Sequence, residues 1–288
     1  MRLRQAAPND LPPLTAFLQA REAGSMFLLA NLHAGRVVWP GAGGPGDIHD
    51  MRLWVQAQDG SITGVLGLSR SAILLVQVPG GLADDAHAML AESSVATVIG
   101  PEGQVSQVLD ALALPDRPAR HRAEEPGFTL SLADLIVPDG PGTHARALQD
   151  GDAALLTTWR ADYLTEVFAL PPDAARAQAG TDIPRWTRHG SHRLLIRDDE
   201  PVALSGFNAT LPDAVQIGAV YTPPSLRRQG LARRLVALHL AEARASGVTR
   251  AHLFAANDAA ARAYLAIGFR AAGTMGIVQF HQPEQVAT

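Results

Sequence analysis

Apolar and polar positions follow two periods along this chain, and the second half shows them most clearly. A short strand is expected at 145–148. Residues 152–168 carry Leu155, Trp159, Tyr163 and Val167 four apart, which is one face of a helix. Pro171-Pro172 stops it, and a second helix is expected over 173–180. Residues 193–197 and 202–208 read as strands joined by a charged turn, and 214–221 as a third. Leu231, Leu235 and Leu238 form one stripe with Val236, Leu240 and Ala243 beside it, which predicts a long helix over 231–245 ended by Gly247. A strand at 251–255, a helix at 258–266 closed by Gly268, and a last strand at 278–280 complete this half.

The first half repeats that order less sharply. A strand at 3–5 precedes helical segments after Asp10 and across 26–32. Strands follow at 52–58, 64–68 and 73–78, the first two joined by the Asp59-Gly60 turn. A helix at 84–93, a strand at 96–99, a helix at 105–114 and a strand at 128–132 close the half. The repetition implies an internal duplication. Residues 138–142, Pro-Asp-Gly-Pro-Gly, break helices and strands alike and mark a linker. The expected domains are 1–137 and 143–288. Each is an α/β (α+β) unit, a mixed, mostly antiparallel sheet flanked by helices.

Composition narrows the chemistry. The 288 residues are 47% hydrophobic and 18% charged, which suits a folded chain with a core and room for two domains. A net charge of −4 favours neither nucleic acid nor an anionic membrane as partner. With no cysteine there is no disulfide, thiolate metal site or acyl-cysteine route. The N-terminus lacks the apolar core of a signal peptide, and the expected location is cytoplasmic.

The segment between the strand at 214–221 and the helix at 231–245 carries the strongest signal. Two prolines force an extended exit, and a short basic loop enters the helix at Gly230-Leu231. The first N–H groups of a helix have no partner within it, and with the helix dipole they attract anions. Gly230 and the small Ala232 let a ligand approach the backbone. The plain alternative is a solvated basic face made of Arg227, Arg228, Arg233 and Arg234.

Arg227-Arg228-Gln229-Gly230-Leu231-Ala232 resembles the coenzyme A pyrophosphate motif of the GNAT superfamily of N-acetyltransferases, Gln/Arg-x-x-Gly-x-Gly/Ala. Downstream, Asn257, Ala260, Tyr264, Gly268 and Phe269 resemble the pattern of that superfamily's last helix. The two matches cover residues 214–270; 143–213 agree in element order. The resemblance implies tandem GNAT-like domains, of which the first lacks the arginine–glycine turn and is expected not to bind coenzyme A productively. It implies direct transfer of an acetyl group from acetyl-CoA to a small-molecule or peptide amine. The backbone of Arg228, Gln229, Gly230, Leu231 and Ala232 would hold the pyrophosphate, with Arg227 and Arg228 facing phosphate, Arg233 reaching the ribose phosphate and Arg234 solvated. Val220 and Thr222 would pair with the pantetheine arm, a Val220 N–H would polarise the thioester carbonyl, and Asn257 would bond the arm. Tyr264 would protonate the leaving thiolate. The plain alternatives are a core aromatic for Tyr264 and a helix N-cap for Asn257.

GNAT enzymes often place a glutamate on the central strand, and 214–221 has none. The first two helices line the acceptor pocket in that superfamily, so Glu166 is the candidate base or acceptor ligand, with Trp159 and Tyr163 as substrate-binding residues and Asp162 nearby. A solvent-facing carboxylate is the competing reading of Glu166. His189 and His192 lack a third ligand, so no metal is expected. Gly41 to Gly46 match Gly-x-Gly-x-x-Gly literally, but without the strand and helix a dinucleotide site needs they read as a loop. An acyl-CoA-binding sensor without turnover is the second reading of the whole. The acceptor and the oligomeric state are not legible.

Overall fold

The computed structural model of the protein describes residues 1–41, 46–140 and 142–287. The glycine run at 41–46 and the linker at 138–142 therefore include positions outside the described residues. The chain forms two compact units, residues 1–125 with 273–288 and residues 126–272.

Unit 1 begins with β1 (Arg2–Gln5), α1 (Leu11–Gln19) and α2 (Glu22–His33). It continues through β2 (Met51–Gln58), β3 (Ser61–Ser69), β4 (Ile73–Gln77), α3 (Ala86–Leu90), β5 (Ser94–Pro101) and α4 (Glu102–Ala111). Neighbours β1 to β4 pair antiparallel, and β4 pairs with β5 in parallel. Asp59 and Gly60 both take positive φ, 50° and 79°, which is why an Asp-Gly pair turns the chain between β2 and β3. The next strand, β6 (Ala119–Ser131), runs on into unit 2.

Unit 2 contains β7 (Thr143–Ala147), α5 (Ala153–Phe168), α6 (Pro172–His189), β8 (His192–Arg197), β9 (Glu200–Thr210) and β10 (Ala214–Tyr221). Then come α7 (Leu231–Ala245), β11 (Arg250–Phe254) and α8 (Asp258–Leu265), before the long β12 (Arg270–Gln285). Strands β7 to β10 pair antiparallel in sequence, and β10 pairs with β11 in parallel. This is the series of unit 1 repeated, so the duplication read from the sequence is present as the same mixed strand order in each unit.

The division differs from a linear cut at 137/143 in one respect. The sequence pattern assigns the strand at 128–132 to the first half and the strand at 278–280 to the second. Instead β6 pairs with β11 through residues 127–131, and β12 pairs with β5 through residues 275–285. Side-chain burial explains the exchange. Phe128 and Leu130 enter the unit 2 core beside Leu253, Val236 and Phe269. Phe280, with no exposed surface, enters the unit 1 core beside Val98, Val105 and Leu109. Burying each phenylalanine contributes about 1.5–3 kcal/mol, so a strand end moved out of its core is costly.

Helix α6 is also longer than the expected 173–180. It passes through Pro184 because Ala175, Ala179, Ile183 and Trp186 form its buried stripe. Asp182 between them accepts from Arg160 Nε at 2.9 Å and Arg185 Nη2 at 2.7 Å. Packing of that stripe outweighs the one helix hydrogen bond that proline removes.

Candidate functional site

The parallel register of β10 and β11 runs only from Ala214 opposite Arg250 to Gln216 opposite His252. Beyond it β10 continues to Tyr221 and β11 to Phe254, and the two part. Among the described residues β10 has no strand partner on that side beyond Gln216, which leaves an edge through Val220 that an extended ligand can pair with. The gap is a cleft of about 1120 Å³ inside unit 2, walled by β10, the turn before α7, α8 and one end of α5.

A bulge in β10 shapes this edge. Gly218 stands opposite Gly206, but Leu204 stands opposite Tyr221, so β10 carries an extra residue, and Ala219 takes a φ of 51°. The extra residue reverses the alternation of faces. Val215 and Ile217 pack with α7, whereas Ala219 and Tyr221 pack with Trp159 of α5 and Ile183 of α6. Gly218 has no room for a Cβ because the Asn208 side chain covers it.

The cleft's far end is the turn before α7. Arg228 and Gly230 hold φ of 63° and 76°, and no side chain caps α7. A Cβ on Gly230 would meet only Arg233 Nη2, at 3.5 Å, so Arg233 folds back over the start of its own helix. Its Nε is buried without a hydrogen-bond partner, and so is the Thr222 hydroxyl beside the strand edge. Buried polar atoms are rarely left unpaired. An uncapped helix end with an unpaired cation over it suits a phosphate, and an unpaired hydroxyl on an open edge suits the polar arm of the same ligand. The residues therefore fit coenzyme A.

Most of the residues singled out from the sequence come together here. Val220, Thr222, Arg228, Gly230, Leu231, Ala232, Arg233, Asn257, Tyr163 and Tyr264 all line the cleft, as do Glu166 and Arg227. Asn257 caps α8, its Oδ1 accepting from Ala260 N at 3.0 Å. Tyr264 is nearly buried, its ring 6.0 Å from Phe269, so it belongs to the core and to the cleft wall at once.

Four positions differ from expectation. Arg227 turns its guanidinium away from the helix start, donating to both Glu166 oxygens at 2.8 and 2.6 Å and to the Thr222 carbonyl at 3.0 Å. Gln229 accepts from Arg197 Nη1 at 2.8 Å, on the β8 side and outside the cleft lining. Trp159 lies behind the wall, its ring 5.8 Å from that of Tyr221. Arg234 is half-buried rather than solvated and donates to the Pro138 carbonyl.

The acidic residues of α5 have separate partners. The hydrogen bonds from Arg227 hold the Glu166 carboxyl below the usual carboxylate range, which makes it a poor proton acceptor. Asp162, one turn earlier, accepts from the Tyr221 hydroxyl at 3.5 Å. Burial, and then the Asp162 charge, push the Tyr221 phenol upward, so it stays a donor at neutral pH. In the sequence Tyr221 is only the end of a strand, because its turn toward α5 depends on the bulge. His192 stacks on Trp186 at 3.8 Å and His239 on Phe207 at 3.8 Å, both buried away from the cleft lining.

The corresponding place in unit 1 is filled. Val78 N, just past β4, donates to Gln104 Oε1; Gln104 Nε2 donates to Gln77 Oε1 at 3.1 Å; Gln77 Nε2 donates to Ser25 Oγ at 2.8 Å. A Cβ on Gly100 of β5 would lie 2.7 Å from the Val76 carbonyl oxygen, so the two strands stay together there. The helix that follows has five residues, and Asp85 before it accepts from Leu3 N at 3.0 Å.

Residues 154–269 match the sequence model of the Acetyltransferase (GNAT) family. Residues 154–269 of unit 2 thus form a GNAT-family domain, and the repeated element order of unit 1 makes the fold a tandem GNAT-like one. Solved structures agree at the level of fold. A tandem GNAT protein from the clavulanic acid biosynthesis pathway is 15% identical, with 100% of this chain and 99% of that one covered and a TM-score of 0.58. A GNAT-family acetyltransferase from Colwellia psychrerythraea is 12% identical over 97% and 100% of the two chains, with a TM-score of 0.55. A GCN5-related N-acetyltransferase from Sphaerobacter thermophilus is 18% identical over 100% and 96%, with a TM-score of 0.54. Among curated proteins no sequence matches. Among the described residues no helix is long and apolar enough to cross a membrane.

Proposed function

We propose that unit 2 binds acetyl-CoA in the cleft and transfers its acetyl group directly to an amine on a small molecule or peptide. The parting of β10 from β11, with an uncapped helix start at its end, is the observation that carries this reading. Bound acetyl-CoA supplies the acetyl group as a thioester. The amides of residues 228–232 and the Arg233 guanidinium hold the pyrophosphate, and the open edge at Val220 and Thr222 pairs with the pantetheine arm, to which Asn257 also bonds. The Val220 N–H polarises the reacting carbonyl, and the Tyr264 hydroxyl gives its proton to the leaving sulfur. Arg227 and Glu166 together form the rim on the acceptor side. Unit 1, its strand edge filled by Gln104, serves as support.

Calorimetric titration with acetyl-CoA tests the reading, alongside Gly230→Asp, which sets a carboxylate in the phosphate turn. Micromolar binding by the wild type that disappears in the variant supports it. No binding by the wild type overturns it. An acyl-CoA sensor is the second reading, favoured by the absence of an acidic residue on β10. Binding without thiol release across a panel of amines would select it.

A further inference from the structure

The central strand carries no carboxylate, and the obvious replacement, Glu166, is held by Arg227. The fold supplies another. Helical spacing puts Trp159, Asp162, Tyr163 and Glu166 on neighbouring positions of α5. Two of these, Tyr163 and Glu166, line the cleft, and Asp162 reaches it through Tyr221, which also lines it. Among the described residues Tyr221 is the one hydrogen-bond partner of Asp162. Asp162 is exposed, so an incoming molecule has access to it.

We infer that Asp162 binds the ammonium group of the acceptor and takes its proton, with Tyr221 holding the carboxylate at the cleft. This rests on the acetyl-transfer reading given above. Tyr221 is next in sequence to Val220, whose N–H faces the reacting carbonyl in that reading, so the Asp162–Tyr221 pair stands at the acceptor side of the reaction. The bulge at Ala219 makes the arrangement possible, because without the extra residue Tyr221 would face α7.

Most charged groups around Asp162 have partners of their own, and the Arg227 guanidinium also lies 5.9 Å from the Tyr221 ring. On its own helix Glu166 is neutralised by Arg227 from the turn before α7, and Arg160 lies 5.3 Å from the Tyr163 ring. On α6, Asp182 is occupied by Arg160 and Arg185. On β10 the neighbour is the neutral Tyr221 phenol. Asp162 is the carboxylate left for a ligand cation. The rings of Tyr163 and Phe168, 5.8 Å apart edge to face, flank the same end of α5 and suit an acceptor whose ammonium sits on an apolar or aromatic body.

In the reaction Asp162 removes one proton from the ammonium, leaving a neutral amine with its lone pair. The nitrogen bonds the acetyl carbon as the carbon–sulfur bond breaks. The sulfur takes the Tyr264 proton, and the second nitrogen proton replaces it on Tyr264. Asp162 then loses its proton to solvent, so one proton is released per amide formed.

The test uses 2-phenylethylamine as probe with the full chain, comparing wild type with Asp162→Asn and Asp162→Glu. Calorimetry should show amine binding at pH 7 weakened about tenfold or more by Asp162→Asn and largely kept by Asp162→Glu. Thiol release should show kcat/KM for the amine down by about 10²-fold in Asp162→Asn at pH 7. That deficit should narrow as pH rises past the amine's own pKa, where solvent has already removed the proton. A deficit equal at every pH, or unchanged amine binding, overturns the assignment. So does a wild type that binds acetyl-CoA but neither binds nor acetylates this amine. Acetyl-CoA titration separates the two levels. Asp162→Asn should bind the donor like the wild type, whereas a wild type that does not bind the donor brings down the acetyl-transfer reading itself.

Discussion

Arg227 gives both terminal nitrogens of its guanidinium to the Glu166 carboxylate, at 2.8 and 2.6 Å, and so ties the turn before α7 to the last turns of α5. Both side chains are more than a third exposed. A double-mutant cycle of Arg227→Ala and Glu166→Gln, read by urea denaturation, should give a coupling of about 0.2–1 kcal/mol. The Glu166 carboxyl is held below its ordinary range, chiefly by the Arg227 hydrogen bonds. The coupling should therefore be complete at neutral pH and vanish as pH falls through that lowered value. A coupling that persists in acid would contradict the ion pair.

Tyr264→Phe removes the proton donor assigned to the leaving sulfur. Turnover should fall about 10²-fold with acetyl-CoA affinity unchanged in calorimetry. Equal turnover at every pH would leave the hydroxyl without that role and Tyr264 as a core aromatic packed on Phe269.

His239 is buried against Phe207, and burial, followed by the nearby Arg193 charge, pushes its imidazole down to about 3. The unfolded chain takes up this proton near pH 6.5, the folded chain only near pH 3. The sign follows: His239 leaves stability intact above 6.5 and erodes it as pH falls between the two values. The slope is about 1.4 kcal/mol per pH unit in the middle of that window. Urea midpoints at pH 7 and pH 5 should differ less in His239→Gln than in the wild type, even if the variant is weaker throughout.

Unit 1 has its strand edge taken by Gln104 and an aspartate at its short helix. Acetyl-CoA titration should thus reach one molecule per chain, and Gly230→Asp should abolish all of it. A stoichiometry of two would show that the Gln104 contact gives way to ligand.

Elements with strong periodicity were legible in the sequence. Leu231–Ala245 emerges with its bounds intact because its leucine stripe is continuous and Gly230 and Gly247 bracket it. The strand Ala214–Tyr221 does likewise. Residues 270–277 were not read as strand, since Ala, Gly and Thr there carry no apolar alternation. Pro184 hid the second half of α6, because a local rule for proline says nothing of the buried stripe that overrides it.

What the sequence by itself determined is the glycine turn before α7 and the order of elements on each side of it. Both rest on backbone conformation: a glycine at positive φ, prolines before it and an amphipathic helix after it act over a few residues. Only the tertiary structure decided which unit each closing strand completes, that Arg227 meets Glu166 across 61 positions, and that Asp162 meets Tyr221 across 59. Those depend on core burial and on one extra residue in β10, and contacts of that span leave no trace in local spacing.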